Sequence, residues 1–146
     1  MSSAVTILLV EDNDVDATTI TRGLEHAAIS SPVVRARDGI EALNLLLGTN
    51  GETKLRAPYL LLVDIRMPRL DGLALVRAIR SNPTLHRIII FILTSSDADR
   101  DRIAAYDAHV AGYIVKSHAP EHYKALAAML EYYLLIVSPP PAAACG

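Results

Sequence analysis

The sequence has 146 residues, of which 51% are hydrophobic and 21% charged, so it is long and apolar enough for one globular domain with a buried core. Its formal net charge is −2, whereas a protein that binds nucleic acid or an anionic membrane surface is expected to be strongly positive, so these two classes are not indicated. The one cysteine, Cys145, cannot form an internal disulfide and is typical of a protein from a reducing compartment.

Five apolar runs along the chain predict strands. Four of them are continuous and lack polar alternation, which is typical of strands that are buried on both faces of a sheet. In chain order the runs are residues 5–10, the weaker 32–36, 59–63, 88–93 and 112–115.

Helical patterns lie between these runs. The first three are marked by apolar residues at spacings of three and four, by a capping box, or by a proline that ends the pattern. The residues are Ala17, Ile20, Leu24 and Ala27 or Ala28 for the first helix, Asp38 and Glu41 for the second, and Leu73, Val76 and Ile79, ended by Asn82 and Pro83, for the third.

The last two helices have different signals. Residues 97–107 predict a polar fourth helix, and Pro120, at a first helical turn, opens the fifth. A polar loop at residues 48–57 precedes the third strand. Strands and helices that alternate in this way imply a (βα)₅ fold, with a parallel sheet and helices on both of its faces.

Polar side chains follow four of the predicted strands. Glu11 and Asp12 follow the first strand, Asp64 the third, Thr94 the fourth and Lys116 the fifth. Any one of them is more often a turn former, a helix cap or a solvated surface residue. Together they indicate a site, because ligands of open parallel sheets bind at the carboxyl ends of the strands.

This set of side chains has a consistent chemistry. Clustered carboxylates repel one another unless a cation lies among them, and Mg²⁺ takes one or two carboxylates together with phosphoryl oxygens. An aspartate in such a site is able to act as a nucleophile and form an aspartyl-phosphate. A lysine ammonium and a threonine hydroxyl then stabilise the phosphoryl oxygens.

Five stretches resemble the receiver (chemotaxis-type) domain of two-component response regulators, over about residues 5–137. They are LVEDN at 9–13, DGIEAL at 38–43, DIRMPRLDG at 64–72, LTS at 93–95 and YIVK at 113–116. The resemblance implies a flavodoxin-like fold with strand order 2-1-3-4-5. It also implies a switch that accepts a phosphoryl group from a sensor histidine kinase and is not an enzyme acting on other substrates.

The resemblance assigns roles around the nucleophile. It implies that Asp64 is the phosphoacceptor and that the metal is Mg²⁺ or Mn²⁺. It makes Asp12 a direct metal ligand, Glu11 a ligand through water, and the main-chain carbonyl of Arg66 the group that completes the metal shell.

Further roles follow from the same resemblance. Thr94 and Lys116 hold the phosphoryl group, and Tyr113 is the aromatic switch that turns inward when Thr94 moves. One departure is Ser117, because most receivers have a cis proline directly after this lysine. A cis bond before serine would cost about 3 kcal/mol, which favours trans and leaves the isomer open.

A narrower resemblance is to the small receivers that partner bacterial phytochrome kinases. It rests on the Lys116–Ser117 pair, the long polar loop before the third strand, the YDAHV stretch before the fifth strand and the aromatic end of the last helix. It makes a phytochrome kinase a candidate partner. It also implies pairing of two copies through the fourth helix, fifth strand and fifth helix.

Three other classes of protein fit the sequence less well. A phosphatase of the haloacid dehalogenase type needs a second carboxylate two residues after the nucleophile, where this chain has Arg66. A flavodoxin needs a phosphate-binding loop after the first strand, and the acidic residues 11–14 would repel the phosphate. A degenerate receiver used only for docking would lack part of the site. His118 and His122, spaced i,i+4, lack a third ligand for a metal site.

The predicted last helix has two apolar faces. One stripe suits the sheet, and the second would meet water and is typical of a partner site. The stripes are Tyr123, Leu126 or Ala127, Leu130, Leu134 and Val137, and then Ala125, Ala128 or Met129, Tyr132, and Leu135 or Ile136. We predict a homodimer whose interface includes Tyr132, Leu135 and Ile136. The alternative is a tail that folds back over this stripe.

The chain ends complete the predictions. Residues 1–3 lead directly into an apolar run, without the basic stretch or the cleavage site of a signal peptide. No apolar run reaches the roughly 18 residues of a membrane span. We therefore expect a cytoplasmic receiver domain at residues 1–137 that contacts neither membrane nor nucleic acid. A proline- and alanine-rich disordered tail is expected at residues 138–146.

Overall fold

A computed structural model of the chain describes residues 5–27 and 30–141, in which five strands alternate with five helices as predicted. Residue 28, included in the first helical stripe, and residues 142–146 of the expected tail lie outside the described residues. The elements are β1 (Thr6–Val10), α1 (Asp14–His26), β2 (Val33–Ala36), α2 (Gly39–Leu47), β3 (Tyr59–Val63), α3 (Gly72–Ser81), β4 (Ile89–Thr94), α4 (Asp99–Asp107), β5 (Gly112–Val115) and α5 (Pro120–Ile136).

All strand pairs in the sheet are parallel, and the order is β2-β1-β3-β4-β5, which confirms the predicted flavodoxin-like class. The order reverses between β1 and β3, and a ligand crevice forms at such a reversal. The two strands are in register, with Val10 opposite Val63. Consequently the residues that follow each strand, Glu11 and Asp64, emerge side by side.

Side chains of the central strands alternate between two cores. Leu8 and Val10 pack with α2, α3 and α4 on one face of the sheet. Ile7 and Leu9 pack with α1 and α5 on the other face. Both faces of β1 and β3 are therefore covered, which explains why these strands have continuous apolar sequences.

The predicted cap at Asp38 is present, and α3 has a cap that the sequence analysis did not name. The Asp38 side chain accepts a hydrogen bond from the Glu41 N–H at 2.9 Å, and Asp71 caps α3 in the same way. The Glu41 carboxylate reaches back to the N–H of Arg37 at 3.4 Å, one residue before the partner expected in a capping box. Helix α4 begins at Asp99, two residues later than predicted, and has no side-chain cap.

The carboxyl-terminal part of the described chain is helix α5 and the segment after it. Pro140 lies beside the start of β4, against a cavity of about 420 Å³ lined in part by Ile88, Ile90 and Ala111. Disorder of the tail stays a prediction. Of the helices described, none is both long enough and apolar enough to cross a bilayer.

Gly72 leaves no room for a side chain, since a Cβ atom there would lie 2.0 Å from the main-chain oxygen of Asp64. We predict that Gly72→Ala lowers the free energy of unfolding by about 2 kcal/mol or more, because backbone has to move. Gly23→Ala in α1 is the matched control, since the nearest atom to its Cβ, the carbonyl oxygen of Tyr123, would be 3.9 Å away. It should be neutral or stabilising by up to about 1 kcal/mol. Urea denaturation compares the two, and equal stabilities would contradict the close approach.

Candidate functional site

The loop after β1 carries the first acidic residues. The Glu11 side chain is buried, and its Oε2 accepts a hydrogen bond from the N–H of Asn13 at 3.2 Å. Asn13 in turn caps α1 through Asp16 N–H, so the loop turns sharply into the helix. Asp12 lies between them and is exposed. The loop therefore offers one buried and one accessible carboxylate.

Asp64 follows β3 directly and is buried. Its N–H continues the sheet by donating to the carbonyl of Val10 at 3.0 Å. Its Oδ1 lies 3.4 Å from the N–H of Arg66, and the Gly72 N–H holds the next turn through the carbonyl of Ile65. The main chain is thus held before and after Asp64, and the carboxylate faces the N–H of Arg66.

Carboxylate oxygens of Glu11, Asp12 and Asp64 lie within 4.8 Å of one another. These are hard oxygen donors on a cluster with an open side at Asp12, and that donor set fits a divalent cation such as Mg²⁺. This group contains no histidine; His118 is exposed, and His122 packs edge-on against Tyr123. The predicted contribution of the Arg66 carbonyl stays a prediction.

Lys116 brings a positive charge into this cluster from the end of β5. Its Nζ forms ion pairs with Glu11, with Asp64 at 2.9 Å and with Asp16 at 2.9 Å, and the side chain is only 9% exposed. The N–H of Lys116 donates to the carbonyl of Thr94 at 2.7 Å. The bond to Ser117 is trans. Sequence analysis left this isomer open.

Burial and charge shift two pKa values at the site. Burial raises the pKa of Glu11 to about 7, with a further increase from the charge of Asp64, although the hydrogen bond from Lys116 opposes the shift. Burial alone would lower the pKa of Lys116, but its hydrogen bonds to Glu11, Asp64 and Asp16 outweigh burial and raise it. The lysine therefore stays charged, while Glu11 titrates near neutrality.

The two predicted switch residues are connected through Ser96. Thr94 is fully buried at the end of β4, and its hydroxyl oxygen lies 3.4 Å from the N–H of Ser96. The Tyr113 hydroxyl donates to the carbonyl of Ser96 at 2.7 Å. The tyrosine ring is half-buried, with the guanidinium of Arg102 5.3 Å from its centre. Thr94 and Tyr113 thus bond the same residue rather than each other.

Sequence analysis missed several residues around the site. Asp16, in the first turn of α1, contacts Lys116, and an acidic residue at that position reads as an ordinary helix N-terminus. Asp101 is buried and accepts hydrogen bonds from the Ser96 hydroxyl at 2.6 Å and the Arg66 guanidinium at 3.2 Å. The polar pattern of the fourth helix gave no indication that Asp101 would be buried.

Fold and cluster together define a class: flavodoxin-like proteins with an acidic, lysine-containing site at the carboxyl edge of the sheet. The family model described as the response regulator receiver domain matches residues 7–128, so the chain belongs to this family. As a receiver domain it is a phosphoacceptor switch in phosphorylation-based signalling.

Two relatives illustrate the similarity, one of them through both its sequence and its structure. Response regulator Rcp1 of Synechocystis sp. is 35% identical over 111 residues, which are 76% of this chain and 76% of Rcp1. The structure of the phosphorylated cyanobacterial phytochrome response regulator RcpA has a TM-score of 0.86 at 32% identity and covers 95% of this chain and 100% of that one. The Mn²⁺-bound form of Rcp1 has a TM-score of 0.85 at 31% identity and covers 94% and 99%.

The pKa of Glu11 predicts how cation affinity depends on pH. A cation binds the deprotonated carboxylate, so it competes with the proton, and affinity should rise from about pH 5.5 to about pH 7 and level off near pH 8. Calorimetric Mg²⁺ titrations in buffers of different ionisation enthalpy count the protons released. Release should be largest at the acidic end, and Glu11→Gln should remove it. An affinity that is constant over this range would contradict the assignment.

Proposed function

We propose that Asp64 accepts a phosphoryl group from a phosphohistidine of a sensor histidine kinase, in a reaction that requires Mg²⁺ or Mn²⁺. The observation that carries the proposal is the position of the Asp64 carboxylate, which bonds the Lys116 ammonium and lies within 4.8 Å of the Glu11 and Asp12 oxygens. Such a site combines a nucleophile, a fixed positive charge and cation ligands.

Asp64 is the best nucleophile of the three carboxylates. Glu11 is held in the interior with a raised pKa, so a fraction of it is protonated near neutral pH. Asp12 is exposed and makes no ion pair with Lys116. Asp64 is oriented by the backbone through Oδ1 and by Lys116 through Oδ2.

The phosphoryl group moves from a histidine nitrogen to an oxygen of Asp64. A carboxylate oxygen of Asp64 attacks phosphorus, the phosphorus–nitrogen bond to histidine breaks, and its electron pair leaves with the imidazole nitrogen. The product is an acyl phosphate on Asp64. Lys116 and the Thr94 hydroxyl stabilise the phosphoryl oxygens, and a bound divalent cation neutralises part of their charge. Because nucleophile and lysine belong to one chain, the receiver catalyses its own phosphorylation and dephosphorylation, and acts on no other substrate.

The cation ligands in this proposal are Glu11, Asp12, Asp64 and the main-chain carbonyl of Arg66. The Mn²⁺-bound form of Rcp1 supports a divalent cation in a relative. The exposed Asp12 gives the cation a path from solvent. Lys116 supplies a positive charge directly to the buried Glu11 and Asp64 carboxylates, and it also pairs with Asp16.

Signalling then depends on Thr94 and Tyr113. If the Thr94 hydroxyl moves to donate to the new phosphoryl group, its oxygen leaves the N–H of Ser96, and Ser96 also holds the Tyr113 hydroxyl. We infer that Tyr113 turns inward as Thr94 moves, which changes the surface of α4, β5 and α5. The similarity to RcpA supports a phytochrome kinase as the upstream partner, and we expect the exchange to occur in the cytoplasm.

Asp64→Asn tests the phosphoacceptor directly. Incubation with acetyl phosphate and Mg²⁺ should add one phosphoryl group to the wild type, detected by intact-protein mass spectrometry, and none to Asp64→Asn. Asp107→Asn is the matched control, because Asp107 is exposed at the end of α4 and outside the cluster. Labelling of Asp64→Asn, or equal labelling of the wild type in excess chelator, would contradict the proposal.

We also propose that α5 forms a homodimer interface. Tyr132, Leu135 and Ile136 are 62%, 75% and 77% exposed, and Leu135 and Ile136 are adjacent on the helix. The described part of the tail leaves all three uncovered, which argues against the alternative in which the tail folds back over them. An apolar patch of this kind on a surface helix is typical of a partner site.

Charge placed on this patch should separate the two copies. Tyr132→Glu with Ile136→Glu should give a monomer in sedimentation velocity at tens of micromolar, and the variant should still accept phosphate on Asp64. Val15→Glu is the control, because Val15 is an equally exposed apolar residue on α1 and should leave the dimer intact. A wild type that sediments as a monomer, whether phosphorylated or not, would contradict the proposed dimer.

A further inference from the structure

Arg35, at the third position of β2, holds both ends of the acidic loop. Its Nε and Nη2 donate to the carbonyl oxygen of Glu11 at 3.0 and 2.9 Å. Its Nη1 forms an ion pair with Asp14 Oδ1 at 2.7 Å. Glu11 ends the strand side of the loop and Asp14 begins α1, so one guanidinium spans the segment that carries Asp12.

The position of Arg35 follows from the sheet. β2 pairs with β1 in parallel, with Arg35 opposite Leu9, so the arginine lies one residue before the end of β1. Its neighbour Ala36 is fully buried and accepts the Glu11 N–H at 2.9 Å. Strand β2 therefore holds both the N–H and the carbonyl of Glu11, the first through its backbone and the second through a side chain.

Fixing the Glu11 carbonyl also orients Asp12. The peptide unit is planar, so the oxygen of Glu11 determines the plane that contains the N–H of Asp12. Within the part of the chain that the structure describes, no hydrogen bond or ion pair holds the Asp12 carboxylate. The position of its carboxylate near the Glu11 and Asp64 oxygens therefore depends on its own side-chain torsions and on the backbone that Arg35 restrains.

We propose that Arg35 is a positioning residue for the divalent-cation site, an inference that rests on the proposed function of the cluster. It contacts no cation ligand side chain and acts through the main chain of Glu11. A planar guanidinium suits this role, since three of its N–H groups point at two acceptors in a fixed geometry. The Arg35 side chain is 22% exposed, so water competes weakly for its bonds to the Glu11 carbonyl, whereas the ion pair to Asp14 is open to solvent because Asp14 is 73% exposed.

Charge and positioning predict opposite effects for loss of Arg35. Removing a positive charge near a cation site reduces repulsion and should tighten cation binding. Losing the restraint on the Glu11 carbonyl should weaken binding, because Asp12 then has to be ordered by the cation itself. The sign of the change in affinity therefore separates the two explanations.

Arg37 provides a matched control. Its Nη1 pairs with the same Asp14 oxygen at 2.8 Å, but its guanidinium does not bond the Glu11 carbonyl, and its side chain is 63% exposed. Arg35→Met and Arg37→Met each remove one positive charge and one ion pair to Asp14. Only the first removes the restraint on Glu11.

The test is a Mn²⁺ titration of the full chain, with free Mn²⁺ measured by electron paramagnetic resonance and folding checked by circular dichroism. Arg35→Met should bind Mn²⁺ about tenfold more weakly than the wild type. Arg37→Met should stay within about twofold, because its exposed charge is screened. Arg35→Lys, which keeps the charge and one possible bond to Glu11, should recover part of the loss and also serves if Arg35→Met does not fold.

Unchanged or tighter binding by Arg35→Met would overturn the inference, and so would equal losses in the two methionine variants or a lysine variant as weak as Arg35→Met. A wild type that binds no Mn²⁺ would overturn the proposed function, and this inference with it. A wild type that binds Mn²⁺ and accepts phosphate, beside an unaffected Arg35→Met, would overturn the role of Arg35 alone.

Discussion

The site depends on the ion pairs that the ammonium group of Lys116 makes with its carboxylates. This ammonium group contacts three carboxylates, of which Glu11 and Asp64 are buried. Two like charges about 4 Å apart repel by about 4 kcal/mol at an effective dielectric constant near 20, a large part of the stability of a domain. The lysine offsets part of this repulsion, and Glu11, whose pKa is raised to about 7, can take up a proton near neutral pH. A divalent cation and the lysine therefore stabilise the same negative charge.

The topology of the chain brings these groups together. Reversal of strand order between β1 and β3 places Glu11 beside Asp64, and β5 lies two strands away from β3, a distance that the long side chain of Lys116 spans. Hydrogen bonds then hold the main chain of the two acidic residues in place. The N–H of Asp64 bonds β1 and the N–H of Glu11 bonds β2, while the side chain of Arg35 restrains the Glu11 carbonyl. The sheet and the short loops after its strands thus position most of the site side chains, while the helices cover the two cores.

Much of the fold and the main site residues were predictable from sequence, for physical reasons. Strands covered on both faces have continuous apolar sequences, and in a parallel sheet the residues after such strands must meet at one edge. Contacts between distant side chains are not encoded in any local spacing. Asp16, Arg35 and Asp101 each look like ordinary surface residues in sequence, and each has at least one partner that lies 24 or more residues away. The trans bond before Ser117 was favoured by energy but was decided only by the structure.

Comparative Mn²⁺ titration of Lys116→Ala and Asp12→Ala tests the central claim most directly. If Lys116 neutralises the carboxylates in place of a cation, Lys116→Ala should bind Mn²⁺ as tightly as the wild type or more tightly, because a competing positive charge is gone. Its response to phosphorylation should nevertheless be impaired. Asp12→Ala should bind more weakly, since it loses a carboxylate ligand. The same loss of affinity in both variants would contradict the separate roles of the lysine and the aspartate.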